Sequence, residues 1–207
     1  MDIPGAITEL ADLEKRFRPP RERVLAKVFD RIDEASARFI DLCPFLVLST
    51  SDGVSIDASP RGGPPGFIRR LDDRHVAIPD LIGNNRLDSF RNIVTHGQAA
   101  LLLVVPGKEE TLRINGAATL SDDSDLLDSF TAELRRPKVA LVVRTDELYG
   151  HCAKAFRRAN LWRPETWDAL SGAPDLAELY ACQFDGIDET EIRAVVAEIY
   201  DTELASD

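Results

Sequence analysis

Apolar positions recur with a helical period at both ends of the chain and with a strand period through its middle. From Ala6 to Phe17 the pattern predicts one short amphipathic helix, ended by Pro19-Pro20. A second helix is predicted from about Arg21, with Val24, Leu25, Val28, Phe29, Ile32, Ala35, Phe39 and Ile40 on one face, and Pro44 stops it. These N-terminal helices occupy about residues 6–42. Phe45 to Thr50 is apolar and β-prone, Ser51-Asp52-Gly53 is a hairpin turn, and Val54 to Ala58 returns as its partner. Ser59 to Gly66 reads as an irregular Pro/Gly loop. Phe67 to Leu71 and His75 to Ile78 are strands around an Asp72-Asp73 turn. A helix follows over Leu87 to His96, with Leu87, Phe90, Ile93 and Val94 on one side. Ala99 to Val105 and Thr111 to Leu120 are strands joined by Pro106-Gly107-Lys108. Leu126 to Leu134 is predicted helical, and Val139 to Arg144 is a buried strand. From His151 onward, to about residue 204, the pattern is mainly helical, most clearly at Leu176 to Phe184 and Glu189 to Leu204.

Strands joined by tight turns, with only short helices between them, predict an antiparallel barrel and not a doubly wound parallel sheet. The fold class expected is α+β, mainly β with flanking helices, with about six strands closing a small barrel. There is no internal repeat, low-complexity tract or flexible linker, so residues 1–207 read as one domain.

Charge narrows the partners. Asp and Glu number 36 against 25 Lys and Arg, a formal net charge of -11. Such a surface repels nucleic acid and anionic membranes. No charged-then-apolar leader and no apolar run of membrane-spanning length occurs, so a soluble, cytoplasmic protein is expected. Cys43, Cys152 and Cys182 are far apart, as are His75, His96 and His151, without the spacing of a metal finger. No metal site is expected.

The positive charge is gathered into stretches without acid. Ala58 to Leu71 carries Arg61, Arg69 and Arg70; Gly83 to Leu87 carries Arg86; His151 to Pro164 carries Lys154, Arg157, Arg158 and Arg163. Clusters of this kind focus an anion toward one place, although long arginines also snorkel over apolar surface. The sharpest of them lies at Asp80-Leu81-Ile82-Gly83-Asn84-Asn85-Arg86-Leu87-Asp88-Ser89, between a strand and a helix. A helix N-terminus offers unpaired N–H groups and the positive end of a dipole. Asn84, Asn85 and Arg86 add donors there, and together they predict a seat for a phosphate. In Ser59-Pro60-Arg61-Gly62-Gly63-Pro64-Pro65-Gly66, glycines let backbone amides approach a ligand and prolines stiffen the loop, so Arg61 is aimed with little entropy lost. In the segment from His151 to Trp162, Lys154 and Arg158 lie one helical turn apart, while the Trp162 indole either stacks on an aromatic ligand or fills a contact.

No nucleophile elbow, Walker loop, His-Glu-x-x-His or Rossmann glycine fingerprint occurs. No residue is assigned as acid, base or nucleophile. If the protein is an enzyme, a bound cofactor supplies the chemistry.

Taken in order, the apolar hairpin, Ser59-Pro60-Arg61-Gly62, Ala77-Ile78-Pro79-Asp80, Gly83-Asn84-Asn85-Arg86-Leu87-Asp88-Ser89, Thr111-Leu112-Arg113-Ile114-Asn115-Gly116, His151-Cys152-Ala153-Lys154-Ala155 and Leu161-Trp162 resemble the pyridoxamine 5'-phosphate oxidase-like, FMN-binding split-barrel family. The resemblance covers roughly Phe45 to Trp162. It implies a six-stranded antiparallel split β-barrel and a homodimer with FMN in clefts between the subunits. It further implies an FMN-dependent oxidoreductase with a small-molecule substrate and NAD(P)H as a candidate electron donor. It points to Asn84, Asn85, Arg86 and Ser89 around the flavin phosphate, to Ser59 and Arg61 beside the flavin, and to the Pro79-Asp80 backbone near the ring. Lys154 and Trp162 match a motif near the interface and pocket. True pyridoxamine phosphate oxidases end in an Arg-Leu segment that binds the substrate phosphate, whereas this chain ends in Glu203-Leu204-Ala205-Ser206-Asp207, which argues against vitamin B6 oxidation. The alternative is a non-catalytic FMN- or haem-binding module for storage or sensing.

Overall fold

The computed structural model describes residues 3–205; Ser206 and Asp207 of the acidic terminal segment lie outside them. Three short helices come first: α1 (Leu10–Glu14), α2 (Glu22–Leu25) and α3 (Glu34–Asp41). The continuous helix expected from Arg21 to Pro44 is therefore broken. Asp33 starts a new one, its Oδ1 accepting the N–H groups of Ala35 and Ser36 at 2.8 and 2.9 Å. These bonds hold its carboxyl below the ordinary value of 3.8, the Ser36 N–H contributing most. Upstream, Phe29 turns extended and bridges Leu148 through two backbone bonds of 3.0 and 2.7 Å. Val24, Leu25, Val28 and Phe29 consequently stay exposed, while Ile40 of α3 is fully buried.

The sheet begins with β1 (Phe45–Ser51) and β2 (Ile56–Gly62), an antiparallel hairpin. Asp52 closes its turn, Oδ1 accepting the N–H groups of Val54 and Ser55 at 2.8 and 2.6 Å. β2 runs further than expected: Ser59, Pro60, Arg61 and Gly62 form a strand and not a loop. Pro60 is tolerated because β2 is an edge strand and needs no second partner. β3 (Arg69–Arg70) pairs with β4 (His75–Pro79), and α4 (Asp88–His96) leads into β5 (Gln98–Val104) and β6 (Thr111–Ser121). α5 is only Ser124–Asp128, shorter than the predicted helix. The hydroxyls of Ser129 and Thr131 donate to the carbonyls of Leu126 and Asp128, competing with helical continuation. β7 (Ala140–Arg144) is followed by β8 (Glu147–His151), a strand that the pattern did not predict. The remainder is α6 (Lys154–Ala159), a 3-10 helix over Pro164–Leu170, α7 (Leu176–Gln183) and α8 (Glu189–Leu204), with Asp175 and Asp188 capping the last two.

All eight strands are antiparallel, in the order β2-β1-β5-β6-β7-β4-β3, with β8 on β6. The long β6 explains how the barrel splits. Its first half, Thr111–Asn115, pairs with β5 on one edge and β8 on the other, and its second half, Ala118–Ser121, pairs with β7. The changeover is at Gly116, where a Cβ would lie 1.8 Å from the carbonyl oxygen of Arg144. Only glycine permits that approach. Period-two alternation sends Leu46, Leu48, Leu101, Leu103 and Ile114 into the core, where they meet Val76, Val143 and Phe67. The result is an α+β split barrel of eight strands, two more than expected. β3, only two residues long, and β4 lie within strands that the pattern predicts; the unforeseen strand is β8, which is short, polar at its ends and interrupted by Gly150. Among the described residues no helix is long and apolar enough to cross a membrane.

Candidate functional site

Three pieces of chain converge on a cleft of about 470 Å³: the end of β2, the loop leaving β4, and the first turn of α4. Ser59, Arg61, Pro79, Asp80, Asn84, Asn85, Arg86 and Ser89 all line it. The strand conformation of β2 puts Asp57, Ser59 and Arg61 on one face. β4 delivers Pro79, and the backbone N–H of Asp80 is fixed by the Val139 carbonyl at 3.0 Å.

The loop is held by local bonds. Asn84 Oδ1 accepts the Arg86 N–H at 3.1 Å, an Asx-type turn. Asn85 and Leu87 have φ of 54° and 60°, the left-handed region, which stores about 1–3 kcal/mol of strain at each. Leu87 is the N-cap of α4 and has no side-chain oxygen, so the first N–H groups of the helix are not capped by it. Asn84 and Asn85 thus precede the helix and are not part of its first turn.

Acid groups share the cleft with the cations. Arg86 Nε donates to Asp88 Oδ2 at 2.7 Å, and its side chain is 75% exposed. That bond raises the Arg86 pKa. Ser89, buried, donates its hydroxyl to Asp57 Oδ2 at 2.5 Å. The anion seat read from Gly83 to Leu87 is therefore partly neutralised from within: Asp88 lies one residue beyond the acid-free stretch, and Asp57 arrives from another strand.

Arg61 forms no ion pair among the described residues, unlike Arg69, which also lies over an aromatic ring with an unpartnered Nε but pairs with Glu133. The Arg61 guanidinium sits over the Phe90 ring, 5.4 Å from the centroid. Burial lowers its pKa, opposed by the charges of Asp80 and Asp57, and the group stays protonated. Its Nε is buried without a hydrogen-bond partner. Elsewhere three cations of the predicted stretches are engaged in structural ion pairs: Arg69 pairs with Glu133, Arg70 with Asp41 at 2.8 Å, and Arg157 with Glu109 at 2.6 Å.

Lys154 and Trp162 are not brought to this cleft. Lys154 is exposed at the start of α6. Trp162 donates Nε1–H to the Lys108 carbonyl at 2.7 Å and meets Phe156 edge-on at 5.8 Å, so its indole fastens α6 to the β5–β6 turn. Asp57 and Phe90 are lining residues that sequence reasoning missed. Their signal was the period-two spacing of Asp57, Ser59 and Arg61, invisible while Ser59 to Gly66 was read as a loop.

A family model described as pyridoxamine 5'-phosphate oxidase matches residues 32–152. The chain belongs to the pyridoxamine 5'-phosphate oxidase family. The match runs from just before α3 through β8, and it includes every lining residue contributed by β2, β4, the loop and α4. Solved structures similar to this chain include HupZ of Group A Streptococcus, at 17% identity and TM-score 0.41, covering 55% of this chain and 91% of that one. General Stress Protein 26 of Bacillus anthracis is similar at 17% identity and TM-score 0.42, covering 55% and 88%. A NimC/NimA family protein of Clostridium acetobutylicum is similar at 14% identity and TM-score 0.40, covering 56% and 84%. No curated protein matches the sequence.

Proposed function

We propose that this chain is an FMN-dependent oxidoreductase acting on a small molecule. The observation that carries the reading is Arg61, whose buried Nε lacks an acceptor inside a cleft of ligand-binding size. A buried donor left unpaired costs about 1–3 kcal/mol, and an acceptor on a ligand removes that cost. Arg61 and Ser59 would hold the pyrimidine edge of the flavin, where negative charge develops on reduction. Asn85, Arg86 and the uncapped first turn of α4 would hold its phosphate, with Asp88 giving up Arg86 on binding. The Pro79-Asp80 backbone would flank the ring. FMN held there would supply two-electron redox chemistry toward a small-molecule substrate, with NAD(P)H as a candidate electron donor. The protein's part is to orient the reactants and exclude water; no side chain is assigned as acid or base.

A haem-binding role is less well supported. Among the described residues that line the cleft, none is a His, Cys, Met or Tyr able to ligate haem iron. A homodimer is proposed from the outer face of the sheet. Phe45 opposes Val104 and Val47 opposes Leu102, all four only partly covered, an apolar stripe that a symmetric copy would bury.

The test is to purify the protein, add FMN and record the visible spectrum and flavin fluorescence. Tight binding followed by NADH- or NADPH-dependent bleaching is expected. A protein that is colourless once excess FMN has been removed refutes the proposal, and one that binds FMN without turnover on any acceptor favours a storage or sensing module.

A further inference from the structure

The two ends of the chain carry opposite charge. Lys15, Arg16, Arg18, Arg21, Arg23 and Lys27 follow one another with Glu22 as the single acid among them. Of these cations only Lys15 forms an ion pair among the described residues, with Asp12 at 2.8 Å. From Asp175 to Glu203 the hairpin of α7 and α8 carries nine acids against one cation, Arg193. Arg193 is spent within the hairpin, on Asp175 and Glu189. Glu178, Asp185, Glu191, Glu198 and Asp201 form no ion pair among the described residues.

Both ends also leave apolar surface bare. α1 and α2 bury no residue, and neither does α8. Leu10, Leu13 and Phe17 recur at a spacing of three and four, and Leu10 and Phe17 are 68% and 69% exposed. Val195 and Ile199 lie one turn apart on α8, both exposed, as are Leu179 and Phe184 on and just after α7. A helix as short as α1 is not stable in water without a surface to pack on. Its own hairpin is not that surface, since no hydrogen bond or ion pair joins residues 10–25 to α7 or α8 among the described residues.

The root of the basic segment is fixed. Phe29 bridges Leu148, and Lys27 donates from Nζ to the Gly150 carbonyl at 2.6 Å and sits 5.2 Å from the Tyr149 ring centroid. Tyr149 opposes Arg113, and Arg113 opposes Leu102 of the apolar stripe, so the root adjoins the face from which a dimer is proposed. From Lys27 back to Leu10 the extended chain spans about 50 Å, enough to lie across a neighbouring copy. Pro19-Pro20 stiffens it midway.

We propose that residues 10–27 of one copy form a strap over the α7–α8 hairpin of a second copy, and that the second copy returns the contact. The bare apolar side chains supply the free energy, and the opposite charges fix which surfaces meet. Two-fold symmetry makes the contact twice. A basic segment with exposed apolar side chains also suits an anionic membrane, but such a membrane repels the rest of a chain with a net charge of -11. The inference rests on the dimer of the preceding proposal, but it does not need the sheet stripe to be the contact.

The test is sedimentation of the full chain, which gives the Kd of the dimer. Arg16→Glu with Arg18→Glu, and in a second protein Glu198→Arg with Asp201→Arg, are each expected to weaken the dimer about tenfold, with the fold retained by circular dichroism. Mixing the two proteins is expected to restore the wild-type affinity, because every strap then meets a hairpin of opposite sign. The proposal is overturned if either pair of substitutions leaves Kd unchanged, or if mixing fails to restore it. Rescue seen only with all four substitutions in one chain places the contact within a protomer and overturns it too. So does binding to phosphatidylserine vesicles that Arg16→Glu with Arg18→Glu abolishes at unchanged dimer Kd. Val47→Lys separates the two readings. A dimer that tolerates Val47→Lys but not the strap variants refutes the stripe and leaves the strap standing, and a dimer with the opposite response refutes the strap alone.

Discussion

At the scale of single residues, the arginines carry the argument, and they divide by their partners. Arg69, Arg70 and Arg157 are neutralised by acids distant in sequence, and Arg86 by the acid two residues on. Arg61 and Arg69 both lie over an aromatic ring with a buried, unpartnered Nε, but Arg69 also pairs with Glu133 and donates to the Ser129 carbonyl, whereas Arg61 forms no ion pair among the described residues. Replacing it is therefore expected to be informative. Arg61→Ala should weaken FMN binding by about 1.5–3 kcal/mol, the worth of a charge-assisted hydrogen bond, with the midpoint of urea unfolding preserved or raised. Arg86→Ala should weaken FMN less, since its guanidinium must first leave Asp88. Fluorescence titration of both variants decides the order, and an unchanged affinity in Arg61→Ala would remove it from the site. The arginines were legible in the sequence as candidates, but their partners were not, because an ion pair between Arg70 and Asp41 leaves no trace in local spacing.

At the scale of elements, alternation and turn chemistry were readable where the element is amphipathic, and failed where a single side chain or bond overrode the pattern. β1, β4, β5 and β7 announce themselves through apolar alternation or an apolar run. β2 is legible only in its first half, because Pro60 and Gly62 hide the rest of an edge strand, and β8 is not legible, because its partner β6 supplies the reason for its existence. The expected helix across Asp33 was lost to a cap that the residue type itself offers. Two predictions belong here. Gly116→Ala should destabilise the fold by about 2 kcal/mol or more, since the new methyl meets the Arg144 carbonyl where β6 passes between its two sheets. Urea unfolding measures it, and an unchanged midpoint would show that β6 does not pivot there. The β1–β2 turn is acid-sensitive. Hydrogen bonds from the N–H groups of Ser55 and Val54 and the hydroxyl of Ser55 hold the Asp52 carboxyl at about 2, below its ordinary 3.8. A depressed folded-state value means that the contribution is complete above pH 3.8 and is lost as pH falls through about 2. Asp52→Asn should therefore flatten stability against pH across that window, and an unaltered profile would contradict the turn geometry.

At the scale of the whole molecule, assembly is the open consequence of the surface. Phe45, Val47, Leu102 and Val104 form an apolar strip on an otherwise strongly acidic protein with a net charge of -11. Sedimentation at micromolar concentration should give a dimer, and Val47→Lys should shift it toward monomer at unchanged circular dichroism; a monomeric wild type would sink the proposal. The acidic balance sets a limit of its own, since the dimer must bring like-charged surfaces together, so its affinity should rise with salt.

The sequence by itself determined the antiparallel class, the helical ends and the segments from which the cleft is made, because these follow from the period at which each residue's own side chain is buried. The tertiary structure decided that Arg61 is left without an ion pair inside the cleft, that Ser59 to Gly62 is a strand, and that Lys154 and Trp162 lie away from the cleft, Trp162 fastening α6 to the β5–β6 turn. Each of those depends on distances between residues far apart along the chain, and the cost or gain of a charge, a hydrogen bond or a close approach is set by such distances and not by local pattern.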